Sequence, residues 1–443
     1  MNEKIGLDFI FNTLDIVSSL GRDTLKSRVF SKDKDYLIKE YDILDYTLNL
    51  IEKKPKIYSE LKRKLLNLKD ITSILKRLEN GYILDDVDFF EIKRFSMISQ
   101  NIFNLLQEET KILSPENLET VIDLLDPDKI RIESFYIYSS YSIELSLIRK
   151  ELKETKNEEL YEKEIEIENK VRERLGKKIL DKIGLLKETV KKLGYLDFVL
   201  GKAKQSIELN LKRPIISNET NIKGMFHPKI SETLKEKNKT YQKVDICLNN
   251  NVTIITGANM SGKTVTLRTL ALIQKMAQIG FFIPVDRGEL SLVDDVLISI
   301  GDSQSLEEGL SSFAGEILNI NRIIKKAKTE NKYLILIDEL ARTTNPQEGR
   351  ALLKSIGDIL LKYSQSSVIT THYSGIGNKF NMLRVKGIKK DLNENLINIK
   401  NIEEYIDYSL IPVKNDEIPE EALTIARILK VDDEIINGAY EYL

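Results

Sequence analysis

The chain of 443 residues is long enough for about three domains of ordinary size with substantial apolar cores. Hydrophobic residues make up 42% of it and charged residues 31%, with only 21 Gly and 9 Pro, which excludes collagen-like, disordered and low-complexity classes. The formal charge of -2 excludes a global positive field, so any contact with nucleic acid must use a local patch.

The sequence also bears on the cellular compartment. Its single cysteine, Cys247, cannot form an intramolecular disulfide, which is typical of a reducing environment. The first residues lack the basic and apolar regions of a secretory signal, and no segment approaches about 20 uninterrupted apolar residues. We therefore expect a cytoplasmic protein with no membrane partner.

The first half of the chain, from Ser31 to about Arg213, has few Gly or Pro residues and a helical spacing of apolar residues. One such run consists of Leu37, Tyr41, Leu44, Leu48 and Ile51. Gly81 follows the next run, where the end of a helix is expected. We predict that residues 1–214 form an all-helical core or lever domain.

Residues 147–178 interleave both signs of charge and contain few apolar positions. This pattern indicates a helical arm within about residues 141–204, running out and back. A solvated helix face with supportive ion pairs and a binding arm both fit the pattern, and the sequence does not decide between them.

After Pro214 short apolar runs alternate with turn residues, as in VDICLNN and NVTIIT. The order is a strand, a Gly-rich turn, a helix, then the strands YLILID and SSVITT, which predicts an α/β parallel sheet over residues 215–400. Residues 401–443 return to an amphipathic helical pattern. The predicted fold class is therefore α+β and multi-domain.

The run Gly257 to Thr264 fits the pattern G-x-x-x-x-G-K-[ST], and it lies between a predicted strand and a predicted helix. Its glycines let successive backbone N–H groups and the helix N-terminus face a phosphate. In such a loop Lys263 meets the β- and γ-phosphate oxygens, and Thr264 holds Mg²⁺. The motif predicts nucleotide binding.

Asp338 and Glu339 follow the strand Tyr333 to Ile337, where a phosphate site needs a carboxylate. We predict that Asp338 anchors Mg²⁺ and that Glu339 polarises the attacking water, so that ATP is hydrolysed as well as bound. An Asp-Glu pair in this position could also cap a helix.

His372 ends the third apolar strand, and ligands in α/β sheets bind at the carboxyl ends of strands. We expect it to sense the γ-phosphate. A lone histidine of purely structural importance is the alternative.

Four segments together resemble, in order and spacing, the ATPase domain of the MutS family, an ABC-type P-loop ATPase. They are TGANMSGKT, GLSSFAGEI at 309–317, IDELARTTNPQEG and ITTHY. Upstream, Phe226-His227-Pro228 is similar to the strand with which that domain begins. Downstream, Asp407-Tyr408-Ser409-Leu410 and the terminal helices are similar to the family's dimerisation region. The resemblance implies an ABC-type ATPase domain over 215–400 and dimerisation helices over 401–443.

The resemblance also implies roles for single residues. Glu339 and His372 become the catalytic pair, Thr264 and Asp338 the metal ligands, and Ser311 the residue that reaches the partner subunit's γ-phosphate. The nucleotide-binding set is Gly257, Ala258, Asn259, Met260, Ser261, Gly262, Lys263, Thr264, Val265 and Tyr241. Tyr241 resembles the adenine-stacking aromatic, although an ordinary strand tyrosine is an equal alternative, and Ser311-Ser312 can also cap the following helix.

The implied ligands are ATP and Mg²⁺, bound at composite sites in a homodimer or a heterodimer with a related subunit. Several departures from the repair members bear on the client. From the given sequence we expect that the mismatch-reading domains are missing before Gly257, that no inserted clamp domain interrupts the helical stretch, and that no nuclease-like extension follows the ATPase domain. The loop Leu340 to Pro346 also differs from the Gly-Arg-Gly-Thr type of sequence usual in those members.

A nucleotide-dependent dimer that acts only as a regulated scaffold is one function that remains open. Two functions with a client also remain open. The first is a MutS-like ATPase whose dimer handles DNA without reading mismatches. Its phosphate contacts would come from among Lys177, Lys178, Lys182, Lys191, Lys192, Lys202 and Lys204. The second is an ATP-dependent reactivating factor for the adenosylcobalamin-dependent lysine 5,6-aminomutase, because the shortened chain and the variant loop are similar to the MutS-like subunit of that reactivase.

Overall fold

The chain divides into two compact units in a computed structural model. The structure describes residues 2–107, 109–110, 112–155, 157–249, 251–258, 261–300, 312–342, 344–363, 365–377, 379–389, 402–413, 423, 426–427 and 431–442. One unit consists of Met1–Thr13, Val29–Tyr41 and Ser206–Leu443, and the other of Leu14–Arg28 and Asp42–Gln205. We call them the sheet unit and the helical unit. The domain boundary near Pro214 stays a prediction.

The helical unit is built from amphipathic helices around a leucine-rich core, as the apolar spacing predicts. Gly81 follows the helix Thr72–Glu79 with φ 81°, the left-handed conformation that ends helices and that glycine adopts without steric cost. The helices that lie wholly or mainly in this unit are α3 (Ser19–Lys26), α4 (Lys34–Lys53), α5 (Pro55–Leu66), α6 (Thr72–Glu79), α7 (Asp86–Leu106), α8 (Glu119–Leu125), α9 (Ile143–Glu154), α10 (Glu158–Leu180) and α11 (Ile183–Glu208).

The charge-rich stretch 147–178 folds into α9 and α10, which pack on each other. One face of α10 is buried, through Ile167, Val171 and Leu175. On the same side Arg149 of α9 pairs with Glu164 and Glu168 of α10, both at 2.7 Å from its guanidinium nitrogens. On the opposite, exposed side of α10, Lys170 pairs with Glu166 at 2.6 Å. These contacts favour the interpretation of a solvated helix face for this stretch.

The sheet unit takes its helices and strands from all three of its chain segments. Its elements are α1 (Asn2–Ile5), α2 (Leu7–Asn12), β1 (Ile215–Ser217), β2 (Thr220–Met225), α12 (Pro228–Glu236), β3 (Val244–Leu248), β4 (Val252–Thr256), α13 (Lys263–Gln278), β5 (Arg287–Ser291), β6 (Asp295–Ser299), α14 (Ser312–Ala327), β7 (Tyr333–Ile337), α15 (Pro346–Lys362), β8 (Ser366–Thr371), β9 (Asn381–Ile388), β10 (Ile406–Pro412) and α16 (Asp433–Tyr440).

The amino-terminal segments complete the packing of this unit around α13. The hydroxyl of Tyr41 donates to the carbonyl of Ala277 at 2.7 Å, and the side-chain amide of Gln278 donates to the carbonyl of Ser31 at 2.8 Å. The rings of Phe11 and Phe281 lie 6.2 Å apart.

The larger sheet has six strands in the order β10-β9-β4-β8-β7-β6. The strands from β9 to β6 are parallel, and β10 is antiparallel at the edge. All five residues of β7 are buried, as expected for a strand covered on both faces. Helices α13, α14 and α15 pack against this six-stranded sheet. The arrangement brings the carboxyl ends of β4, β7 and β8 to one edge.

A second, mixed sheet has the order β1-β5-β2-β3. The sequence correctly places strands at β3, β4, β7 and β8, but β3 belongs to this smaller sheet. Two further expectations are wrong. Phe226-His227-Pro228 is not a strand, since β2 ends at Met225 and α12 begins at Pro228. Within 401–443, residues Ile406–Pro412 form a strand, because they pair with β9 instead of continuing a helix. Across the part of the chain that the structure describes, no helix is both long and apolar enough to span a membrane.

Candidate functional site

The loop between β4 and α13 contains two glycines with positive φ. Gly257 has φ 155° and Gly262 has φ 80°, and Gly262 caps the 16-residue helix α13. The first N–H groups of a helix have no partner within the helix, and the helix dipole adds positive potential there. The N-terminus of α13 therefore offers a site for an anion at the position the sequence predicts.

Lys263 lies folded into this loop. Its ammonium donates to the carbonyls of Gly257 at 2.8 Å and Ala258 at 2.7 Å, and its side chain is buried. The hydroxyl of Ser261 is also buried and has no hydrogen-bond partner among the described residues. A buried hydroxyl without a partner costs about 1–3 kcal/mol. Phosphate oxygens would satisfy this hydroxyl and the cation together, so the loop fits a phosphate group.

Asp338 follows β7, and its carboxylate accepts hydrogen bonds from two hydroxyl groups. Thr264, in the first turn of α13, donates to its Oδ2 at 2.7 Å, and Thr370, in β8, donates to its Oδ1 at 2.6 Å. Hydroxyl and carboxylate oxygens are ligands that Mg²⁺ prefers. The structure thus brings the two predicted metal ligands into direct contact.

Glu339 lies beside Thr370, because its backbone N–H donates to the Thr370 hydroxyl at 3.0 Å. Its backbone is left-handed, with φ 45°. Arg342 donates to its Oε2 at 2.9 Å, and the Arg342 side chain is largely exposed. The carboxylate is therefore close to Asp338 and held by an exposed partner that it can exchange.

His372 directly follows β8 and is largely exposed. Desolvation of its less exposed side is the main reason that its pKa lies below the usual value, with Glu339 raising it and Lys263 and Arg342 lowering it. These neighbours put His372 in the electrostatic field of the phosphate loop. The imidazole is accordingly neutral at pH 7 and has a ring nitrogen available as an acceptor.

A cleft of about 590 Å³ opens beside Gly262. Its walls combine apolar and aromatic side chains with polar ones, and the apolar and aromatic part suits a flat heteroaromatic ring. The residues that give it this character are Tyr241, Tyr408, Ile230, Leu234, Val265 and Ile406.

Tyr241 lies in the loop before β3 and not in a strand. The alternative that it is an ordinary strand tyrosine is therefore wrong. Burial raises the pKa of its phenol, and hydrogen bonds with the backbone of His227 and the hydroxyl of Thr269 oppose that shift. These bonds fix the ring in the wall of the cleft.

The sequence missed Tyr408 as a site residue. Its Cδ1 is 3.0 Å from where a Cβ would stand on Gly262, so the ring lies directly against the phosphate loop. Gln242 fixes the strand that carries it by donating to Asp407 at 2.7 Å and accepting the Tyr408 N–H at 3.2 Å. Burial would raise the pKa of Asp407, but hydrogen bonds from Lys386, Ser409 and Gln242 outweigh it and hold the pKa well below the usual range. The one signal in the sequence was an aromatic residue inside the Asp407 to Leu410 segment.

The structure brings together every described member of the predicted site. Gly257, Ala258, Ser261, Gly262, Lys263, Thr264, Val265, Tyr241, Asp338, Glu339 and His372 all lie around the loop or the cleft. Asn259, Met260 and Ser311 lie outside the described residues, and their roles stay predictions.

Comparison with known proteins gives a consistent result. Residues 253–443 match the family described as MutS domain V. Endonuclease MutS2 of Finegoldia magna is 30% identical over 421 residues, which is 92% of this chain and 49% of that protein. Endonuclease MutS2 of Thermus thermophilus is 35% identical over 212 residues, 48% of this chain and 27% of that protein. That of Ligilactobacillus salivarius is 37% identical over 213 residues, 46% of this chain and 26% of that protein.

The chain thus spans no more than about half the length of these curated relatives. The Finegoldia magna match nevertheless runs through the helical unit as well as the sheet unit, because it covers 92% of the chain. With the MutS domain V over residues 253–443, these matches identify the chain as a member of the MutS family.

Proposed function

We propose that the chain binds ATP with Mg²⁺ at the loop 257–264 and hydrolyses it to drive a conformational change. The observation that carries the proposal is the hydrogen-bonded set Thr264, Asp338 and Thr370, with Glu339 adjacent and Lys263 buried in the loop. It joins a phosphate site, a metal site and a candidate base at one edge of the sheet.

Each residue then has a definite task. Lys263 exchanges its loop carbonyls for β- and γ-phosphate oxygens, and Tyr241 and Tyr408 enclose the adenine. Thr264 and Asp338 would hold Mg²⁺, which neutralises charge on the phosphate oxygens. Glu339 orients the attacking water and accepts its proton. Neutral His372 contacts the γ-phosphate side of the site and reports whether that group is present.

We further propose that two chains, or this chain and a related subunit, share two nucleotide sites. In that arrangement Ser311 reaches the nucleotide of the partner, so that ATP bridges the subunits and changes their orientation. Family resemblance supports this proposal, and so does the MutS domain V match. The single cysteine supports a reducing, cytoplasmic location.

DNA is the client that we propose first, in a repair-like role without mismatch reading. Support comes from the relatives, which are named endonucleases, and the Finegoldia magna relative matches along 92% of this chain. The structure narrows the candidate contacts. Lys202 is fully buried, Lys182 and Lys204 are half-buried, and Lys192 is half-buried and forms an ion pair with Glu116. The exposed lysines of the set are Lys177, Lys178 and Lys191.

A protein client is the second candidate, specifically reactivation of an adenosylcobalamin-dependent lysine 5,6-aminomutase. The observation that favours it is the shortage of free basic surface in that lysine set, together with the formal charge of -2. In this case ATP-driven closure would push on the aminomutase instead of on DNA.

The decisive experiment measures ATP binding and steady-state hydrolysis for the wild type, Lys263→Ala and Glu339→Gln. We expect Lys263→Ala to lose ATP binding and Glu339→Gln to bind ATP but hydrolyse it slowly. Normal hydrolysis by Glu339→Gln would remove Glu339 as the base.

The client is tested by repeating the assay with duplex and branched DNA across a salt series. Stimulation that fades with salt supports DNA, because phosphate contacts release counterions. Intact basal hydrolysis without any response to DNA, followed by restored turnover of an inactivated aminomutase, would support the protein client.

A further inference from the structure

The turn that follows Asp338 is strained. Glu339 has φ 45° and Ala341 has φ 58°, so two side-chain-bearing residues within three positions are left-handed. Each such residue costs on the order of 1–2 kcal/mol, and the conformation persists only where its surroundings hold it. The direction of the Glu339 carboxylate therefore depends on whatever holds this turn.

Three side chains from outside the turn bond to its backbone. Thr370 accepts the N–H of Glu339, as described above. On the other side of the turn, Glu316 of α14 accepts the N–H of Ala341 at 2.8 Å, and Tyr373 donates its hydroxyl to the carbonyl of Ala341 at 2.6 Å. Ala341 is thus fixed through both of its backbone polar groups.

The surroundings of these anchors make them hard to replace by water. Tyr373 and Ala341 are buried, and Glu316 is half-buried. Burial raises the pKa of the Glu316 carboxyl, and its hydrogen bond from Ala341 opposes that shift. Gly349 of α15 leaves the space that the Tyr373 hydroxyl fills, since a Cβ there would stand 2.3 Å from that oxygen.

We propose that Glu316 is a positioning residue for ATP hydrolysis, which fixes Ala341 and through it the direction of the Glu339 carboxylate. Tyr373 supports the same residue from the opposite side. Both side chains bond to the backbone of Ala341 and so act through the turn. The inference rests on the proposed function, in which Glu339 is the base.

The test compares kcat and KM for ATP in the wild type, Glu316→Ala, Glu316→Gln and Tyr373→Phe, with Arg322→Ala as the control. Arg322 is exposed on the same helix, α14. A misplacement of about 1 Å costs on the order of a hundredfold in rate. We expect Glu316→Ala to lower kcat by about ten- to a hundredfold with KM unchanged. Glu316→Gln keeps an acceptor oxygen and should retain most of the activity, Tyr373→Phe should lower kcat in the same direction, and Arg322→Ala should match the wild type.

A double variant separates positioning from general damage. If Glu316 acts only through Glu339, then Glu316→Ala combined with Glu339→Gln is no slower than Glu339→Gln alone. A wild-type kcat in Glu316→Ala, equal losses in the Ala and Gln variants, or a slower double variant would each overturn the inference. Should Glu316→Ala not fold, Tyr373→Phe decides, and a wild-type kcat there has the same consequence.

The two proposals fail in different ways. Wild-type hydrolysis by Glu339→Gln defeats the proposed function and this inference with it. Slow hydrolysis by Glu339→Gln together with unchanged kcat in Glu316→Ala and Tyr373→Phe defeats this inference alone.

Discussion

Replacing Thr370 by valine should remove the hydroxyl group that holds Asp338, the proposed metal ligand, in place. Thr370 donates to Asp338 at 2.6 Å and accepts the N–H of Glu339 at 3.0 Å. Its side chain is fully buried, so no water can take over either bond. Valine keeps the shape and the β-branching that suit strand β8, and it removes only the hydroxyl.

The magnitude follows from the two bonds. A hydrogen bond to a charged group contributes about 1.5–3 kcal/mol, and one from a backbone N–H about 1 kcal/mol. The loss of stability should therefore be about 2–4 kcal/mol. Asp338 keeps its bond from Thr264, so the metal site survives in weakened form. Loss of such a supporting partner costs about 10- to 100-fold in metal affinity or activity.

The assay is a Mg²⁺ titration of ATP hydrolysis, with urea unfolding measured on the same samples. Thr253→Val is the matched control, because Thr253 is equally buried on the neighbouring strand β4, and among the described residues its hydroxyl accepts a hydrogen bond only from the side chain of Asn381, at 3.2 Å. We expect a higher Mg²⁺ requirement and a lower kcat for Thr370→Val and neither change for Thr253→Val. A wild-type Mg²⁺ curve for Thr370→Val would refute the reasoning that Thr370 supports Asp338.

Two further predictions concern the cleft and the buried histidine. Tyr408→Ala should weaken ATP binding by the roughly 1–3 kcal/mol that base stacking contributes and leave the binding of inorganic triphosphate unchanged. The control is Tyr442→Ala, which should bind ATP like the wild type because Tyr442 is 93% exposed. Equal losses of affinity for ATP and triphosphate in calorimetric titrations of Tyr408→Ala would contradict the prediction. Burial lowers the pKa of His227 to about 4. Between pH 6.5 and 4 the unfolded chain therefore binds a proton at this histidine that the folded chain does not bind. The free energy of unfolding falls by up to about 3 kcal/mol as the pH falls through this range. Urea midpoints at pH 7.5 and 5 should therefore fall less in His227→Gln than in the wild type, and an equal fall in both would show that His227 does not carry this dependence.

The phosphate loop and its carboxylates were predictable because they follow local rules. The motif from Gly257 to Thr264 carries its own backbone geometry, and Asp338 and His372 each follow a strand rich in apolar residues. Parallel strands present their carboxyl ends at one edge, so these residues had to meet once the strands were correctly assigned.

Other parts depend on contacts between distant positions. Strand β9 pairs with β4, for example through Asn381 and Thr253. No local pattern in either segment predicts that the two strands pair. Tyr408 enters the site only because β10 pairs with β9. The helical spacing did not show which side of α11 is buried, so Lys202 was among the candidates for DNA contact, whereas the structure buries it.

The segmented construction of the sheet unit has a consequence for how the protein is made and handled. Tyr41 and Ala277, joined by a hydrogen bond, are 236 positions apart, and Ser31 and Gln278 are 247 apart. During synthesis the amino-terminal residues of the sheet unit therefore stay without their packing partners until the later segment has been made. Residues Asp42–Gln205, by contrast, contain most of the helical unit in one continuous segment. A recombinant fragment cut once near Pro214 would lack α1, α2 and the stretch Val29–Tyr41. A fragment of the sheet unit should instead be produced by joining residues 1–13, 29–41 and 206–443 through flexible linkers.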